Sequence, residues 1–63
     1  MRSVEAGRLA LYALGHLGDW KDHRELAEVL GILPEEAKSI LRELYRKGFL
    51  FRDGSKYIRR WGM

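Results

Sequence analysis

Cysteine, asparagine, glutamine and threonine are absent from this 63-residue chain, and proline occurs once. Without cysteine, neither a disulfide nor a thiolate zinc site can staple the fold, so stability rests on packing. Without Asn and Gln, the side chains that bond bidentately to adenine are missing. Loss of thermolabile Asn, Gln and Cys beside many Arg and Glu fits a hot-environment source. No apolar run approaches the ~18 residues of a membrane span. Glu5 and Arg8 interrupt the first apolar stretch, so the start lacks a signal-peptide pattern and a cytoplasmic protein is expected. Repeats, low-complexity tracts and linkers are missing too. Met1 and the compact ending fit a complete small protein of one domain, too short to build a deep substrate pocket.

The parts of a catalytic site are also lacking. His16 and His23 have no third ligand near in sequence, so no metal is expected. Asp22 beside His23 has no matched serine or cysteine nucleophile. Gly15-His16-Leu17-Gly18 lacks the Lys-Ser/Thr end of a phosphate loop. The chain reads as a non-enzyme, with no cofactor and no small-molecule substrate.

What the chain does have is an uneven distribution of charge. Residues 1–33 carry four basic and five acidic side chains, a net −1, whereas residues 34–63 carry eight against four, a net +4. A basic half beside a neutral half suits a phosphate-bearing partner, and an arginine-rich solvated surface is the plain alternative.

Periodicity predicts three helices and a hairpin, an α-rich α+β fold. Helix 1 is expected from about Ser3, a plausible N-cap, to Leu17, with Gly18 as a left-handed C-cap. Val4, Leu11 and Leu14 form its inner side, extended by Ala10 and Leu17. Asp22 should cap helix 2, about residues 23–30, with Glu25 completing a capping box and Gly31 ending it. Helix 3, about Pro34 to Lys47, has the cleanest stripe: Ala37, Ile40, Leu41 and Leu44. Leu33 stands where a Ser, Thr or Asp cap is usual, and Glu35 and Glu36 suit the positive end of the helix. Gly48 stops helix 3, and residues 49–61 fold back around Asp53-Gly54. A two-residue loop pairs Leu50 with Tyr57 and a three-residue loop pairs it with Ile58; the sequence does not choose. Leu26, Leu30 and Leu50 complete the expected core.

Three segments together resemble the winged helix-turn-helix family. They are Glu25-Leu26-Ala27-Glu28-Val29-Leu30-Gly31, Ala37-Lys38-Ser39-Ile40-Leu41-Arg42-Glu43-Leu44, and Arg46-Lys47-Gly48-Phe49-Leu50 with Asp53-Gly54 and Tyr57 following. The resemblance spans nearly the whole chain. It is informative for fold and poor for ligand, since members bind duplex DNA, unusual DNA forms, RNA or proteins. It implies that helix 3 enters the major groove while the wing touches the backbone or minor groove, as in a transcription regulator. The branch that binds left-handed DNA uses Asn and Tyr on this helix; Lys38 and Arg42 stand at the aligned positions, so that activity is not implied.

Lys38, Arg42 and Arg46 lie four apart, a spacing that lines them up on a helix surface where they meet phosphates together. Arg42 has the fork to read guanine, and Ser39 is a further hydrogen-bonding candidate. Arg52 and Lys56 flank the wing tip; they serve either as phosphate contacts or as edge-strand protection, and Arg59 and Arg60 share that ambiguity. About five neutralised phosphates would give a salt slope of roughly −4 to −5. Phe49, Phe51, Tyr57 and Trp61 interleave with these charges. Stacking on unpaired bases is one use for them, but packing under the wing is the expectation, with at most two exposed. Trp20 is expected to cover the core.

Leu9, Tyr12 and Ala13 on helix 1 form either a homodimer interface or part of a wide core face, and the sequence leaves this open. The competing function is a protein-interaction winged helix in a replication or transcription assembly. Glu35, Glu36 and the low net charge favour it.

Overall fold

The computed structural model describes residues 3–61, with side chains from residue 7 onward. Three helices, α1 (Ser3–Gly15), α2 (His23–Leu30) and α3 (Pro34–Arg46), precede an antiparallel hairpin of β1 (Leu50–Asp53) and β2 (Lys56–Arg59). This is the expected α+β, mostly helical, winged-helix-like layout. The cap of Ser3 and the burial of Val4 concern side chains outside the described residues.

Local chemistry sets the boundaries of the helix-turn-helix. The extended Asp22 accepts the Glu25 N–H at 2.9 Å, and the Glu25 carboxylate accepts the Asp22 N–H at 3.0 Å, a complete capping box. The Asp22 carboxyl is held below its usual range chiefly by that Glu25 N–H. The start of α3 is satisfied despite Leu33, because the Glu36 carboxylate accepts the Leu33 N–H at 3.0 Å. At the other end, Gly48 adopts a φ of 87°, closed to residues with a Cβ except at a cost. Its N–H donates to Tyr45 O and that of Phe49 to Leu44 O, both at 3.0 Å, which is a Schellman ending.

The core is Ala13, Leu17, Leu26, Ala27, Ala37, Leu41, Leu44 and Leu50, with Ala10, Leu14, Leu30, Ile32, Ile40 and Tyr57 packed against it. Helix α1 is rotated from the expected face. Leu11, expected in the core, is 71% exposed, and Ala13, expected on the outer side, is fully buried. The stripe that faces α2 and α3 is Ala10, Ala13, Leu14 and Leu17, an i, i+3, i+4, i+7 set in which alanines allow close helix approach. Trp20 is exposed rather than a lid.

Helix α1 also ends differently. It stops at Gly15, and Gly18 has no positive φ. The last turn tightens instead, with the His16 N–H on Ala13 O at 3.0 Å and the Leu17 N–H on Leu14 O at 3.2 Å. Arg59 of β2 adds to this end, donating to Leu14 O at 2.8 Å and to Gly15 O at 3.3 Å.

The hairpin follows neither expected register. Leu50 pairs with Arg59, and Asp53 with Lys56 across a Gly54-Ser55 loop. Gly54 supplies a φ of 63° at the first loop position and Ser55 keeps a negative φ, which suits a type II′ turn. This register lays Leu50 in the core with Arg59 beside it, and turns Phe51 and Ile58 to the opposite face. On the outer edge of β2, Lys21 exchanges two backbone bonds with Tyr57 at 2.8 and 3.0 Å. The linker before α2 thus adds one bridge of a third strand.

Candidate nucleic-acid interface

Helix α3 carries its charges in two sectors. Each four-residue step turns ~40° about the helix axis, so Lys38, Arg42 and Arg46 wind away from the hairpin rather than forming a straight row. All three are exposed, and no part of the described chain covers them. Lys38 lies nearest the hairpin. It borders a cleft of about 200 Å³ with His23, Leu41, Ser55 and Tyr57, where the start of α2, the middle of α3 and the turn meet.

Tyr45 joins helix to hairpin, and the sequence reading passed over it. Its ring packs edge-on against Tyr57, with centroids 5.9 Å apart, and the Arg52 guanidinium lies 5.2 Å from its centroid. The signal was available: Tyr45 follows Lys38 by seven residues and therefore shares its face. The contact holds Arg52 of the hairpin beside α3, on the side of the helix that carries Lys38. Neither Lys38 nor Arg42 forms an ion pair with another described residue.

Arg46 and Lys56 do have such partners, and Ser39 lies elsewhere. The Arg46 guanidinium bonds to the Glu43 carboxylate at 2.6 Å, and Lys47 approaches the same group at 3.9 Å. The bond and charge of Arg46 lower the Glu43 carboxyl below its usual range, and Glu43 raises Arg46 in return. Lys56 lies 3.8 Å from Glu25, the residue that closes the α2 capping box. Ser39 borders a different groove, about 400 Å³, between α1 and α3, whose lining includes Glu36, Glu43 and Ile40. Lys47 lines it as well, so the groove's charges are of both signs.

Arg59 is a structural clamp whose guanidinium is directed to α1 and to the Trp61 carbonyl. On helix α1, Tyr12 is 65% exposed and Leu9 half-buried, while Ala13 is withdrawn into the core. The outer apolar surface of this helix is therefore Leu11 and Tyr12, beside Arg8.

No cluster of three metal-ligating side chains occurs among the described residues, and none of the described helices is long and apolar enough to cross a membrane. No family model matches the chain, and neither the curated proteins nor the solved structures compared with it give a match.

Proposed function

We propose that this protein is a winged helix-turn-helix that binds duplex DNA in transcription regulation. Helix α3 enters the major groove and the hairpin rests on the backbone or minor groove. The observation that carries this reading is that Lys38 and Arg42 are exposed on α3 while Tyr45 of the same helix holds the hairpin's Arg52 beside it. Arg42 offers the bidentate fork for guanine, and Lys38 and Arg52 supply phosphate contacts. Arg46 and Lys56 add to these once DNA competes with Glu43 and Glu25. Two phosphate contacts set a salt slope of about −2, and four, with Arg46 and Lys56, one of about −3.6.

A mobility-shift titration at two salt concentrations tests the proposal, with wild type against Arg42→Ala combined with Arg46→Ala. Loss of affinity in the variant with an unchanged fold supports it. Absence of binding by the wild type at low salt overturns it.

The second reading is a protein-interaction winged helix in a replication or transcription assembly. It draws on the neutralised Arg46 and on the exposed Leu11 and Tyr12 of α1. A second copy is one partner for that helix, and pairing through Leu9, Leu11 and Tyr12 would present two α3 helices to two half-sites. Sedimentation of wild type against Leu11→Ser tests for the pair.

A further inference from the structure

The face of the hairpin turned away from the helices carries aromatic rings that are exposed among the described residues. Phe49, Phe51 and Trp61 are 40%, 50% and 51% exposed. This departs from the expectation of at most two exposed rings, and the register is the reason. Leu50 opposite Arg59 sends both inward, so Phe51 and Ile58 go outward. The Arg60 N–H donates to Phe49 O at 3.0 Å, which continues the ladder and puts Phe49 and Arg60 on the same outer face.

These rings are arranged with a cation. The Arg60 guanidinium lies 5.0 Å from the Phe51 centroid and also donates to Gly48 O at 3.2 Å. Trp61 meets Phe49 edge to face, with centroids 6.0 Å apart. Phe49 and Phe51 are two residues apart on extended chain, which leaves ~7 Å between them. Arg60 is the charge set among these rings, whereas Arg52 and Arg59 face the helices and Lys56 lies 3.8 Å from Glu25. The outer face thus combines rings and a guanidinium.

We propose that this outer hairpin face binds the unpaired bases of a single-stranded nucleic acid. Bases stack on Phe51 and on the Phe49–Trp61 pair, and Arg60 holds the adjoining phosphate. Stacking needs only the π-face that every base has, so binding tolerates sequence. The Arg60 guanidinium beside the Phe51 ring sets the class of occupant: a purely apolar partner has no use for a cation there. The site is separate from Lys38, Arg42 and Arg52 and does not depend on the duplex reading.

Fluorescence anisotropy with labelled oligo(dT) and oligo(U) of about 12 nucleotides, and in parallel with a duplex, tests the proposal on the full chain. Wild type binds both single strands. Phe51→Ala and Trp61→Ala each weaken that binding about five- to a hundredfold, without changing its salt slope or the duplex affinity. Phe51→Trp retains it, which separates stacking from loss of fold. Arg42→Ala acts on the duplex alone. Failure of wild type to bind either single strand at low salt overturns the proposal. So does single-strand affinity indifferent to both ring truncations. A concentration-dependent dimer that Phe51→Ala dissolves would assign the face to a second copy and likewise overturn it.

Discussion

The Arg59 guanidinium donates to the Leu14 carbonyl at 2.8 Å, tying residues 45 apart in sequence. The second strand thereby caps the end of the first helix, adding a side-chain donor to carbonyls of its last turn. The same residue's backbone N–H donates to Leu17 O at 2.9 Å. Arg59→Ala should therefore lower stability by about 1–3 kcal/mol in urea denaturation. Arg59→Lys should recover little, since one ammonium cannot reproduce the fork. Duplex affinity should fall less than in Arg42→Ala. A larger fall would place Arg59 in the DNA contact instead.

Glu43 holds Arg46 at 2.6 Å on a solvent-exposed surface. Exposed pairs of this kind contribute ~0–1 kcal/mol to stability, so Glu43→Gln should leave the fold intact. It should raise duplex affinity at low salt about two- to fivefold by freeing Arg46, and steepen the salt slope. Unchanged affinity in a mobility shift would remove Arg46 from the interface.

The Asp22 cap predicts an acid-sensitive helix α2. Its carboxyl is lowered from 3.8 by the Glu25 N–H, so the folded state binds that proton more weakly than the unfolded state. The stabilisation is complete above the ordinary value and is lost as pH falls through the lowered one. Asp22→Ala should lower stability at neutral pH, and the gap from wild type should close in strong acid. Helical circular dichroism followed from pH 7 downward checks the direction.

Two glycines should respond in opposite senses to alanine. Gly15 lies in α1 without a positive φ, and a Cβ there meets nothing within 4 Å. Gly15→Ala should stabilise by about 0.5–1 kcal/mol. Gly48, with its φ of 87°, should lose ~1 kcal/mol or more on the same change. Thermal melts of the two variants decide this. Loss of stability in Gly15→Ala would mean that another body approaches α1 at that point.

Leu11 and Leu41 separate the two candidate faces of the helices. Leu41→Ala in the core should cost about 2–5 kcal/mol, whereas Leu11→Ala should cost no more than ~0.5 kcal/mol in a monomer. A large loss at Leu11 that shrinks on dilution would reveal a dimer built on α1.

Helices α2 and α3 were legible in the sequence almost to the residue. Their signals are local: Asp22 with Glu25, the Ala37–Leu44 stripe, and Gly48 at the end. Outward projection of Lys38 and Arg42 follows from the same stripe, because a helix that buries one side exposes the other. The face of α1 was not legible. More than half its circumference is apolar, so Leu11 and Ala13 compete for the core, and only the closeness of α2 and α3 favours the smaller side chain. The hairpin register was not legible either, since Asp-Gly and Gly-Ser loops both fit the residues around Gly54. Pairing Leu50 with Arg59 settled it, and that one choice directed Phe51 outward, Arg59 to the end of α1 and Arg52 onto Tyr45. Caps and periodicity act within a few residues and are written in the chain, but faces and partners are set by which surfaces meet, and that contact exists only once the chain has folded.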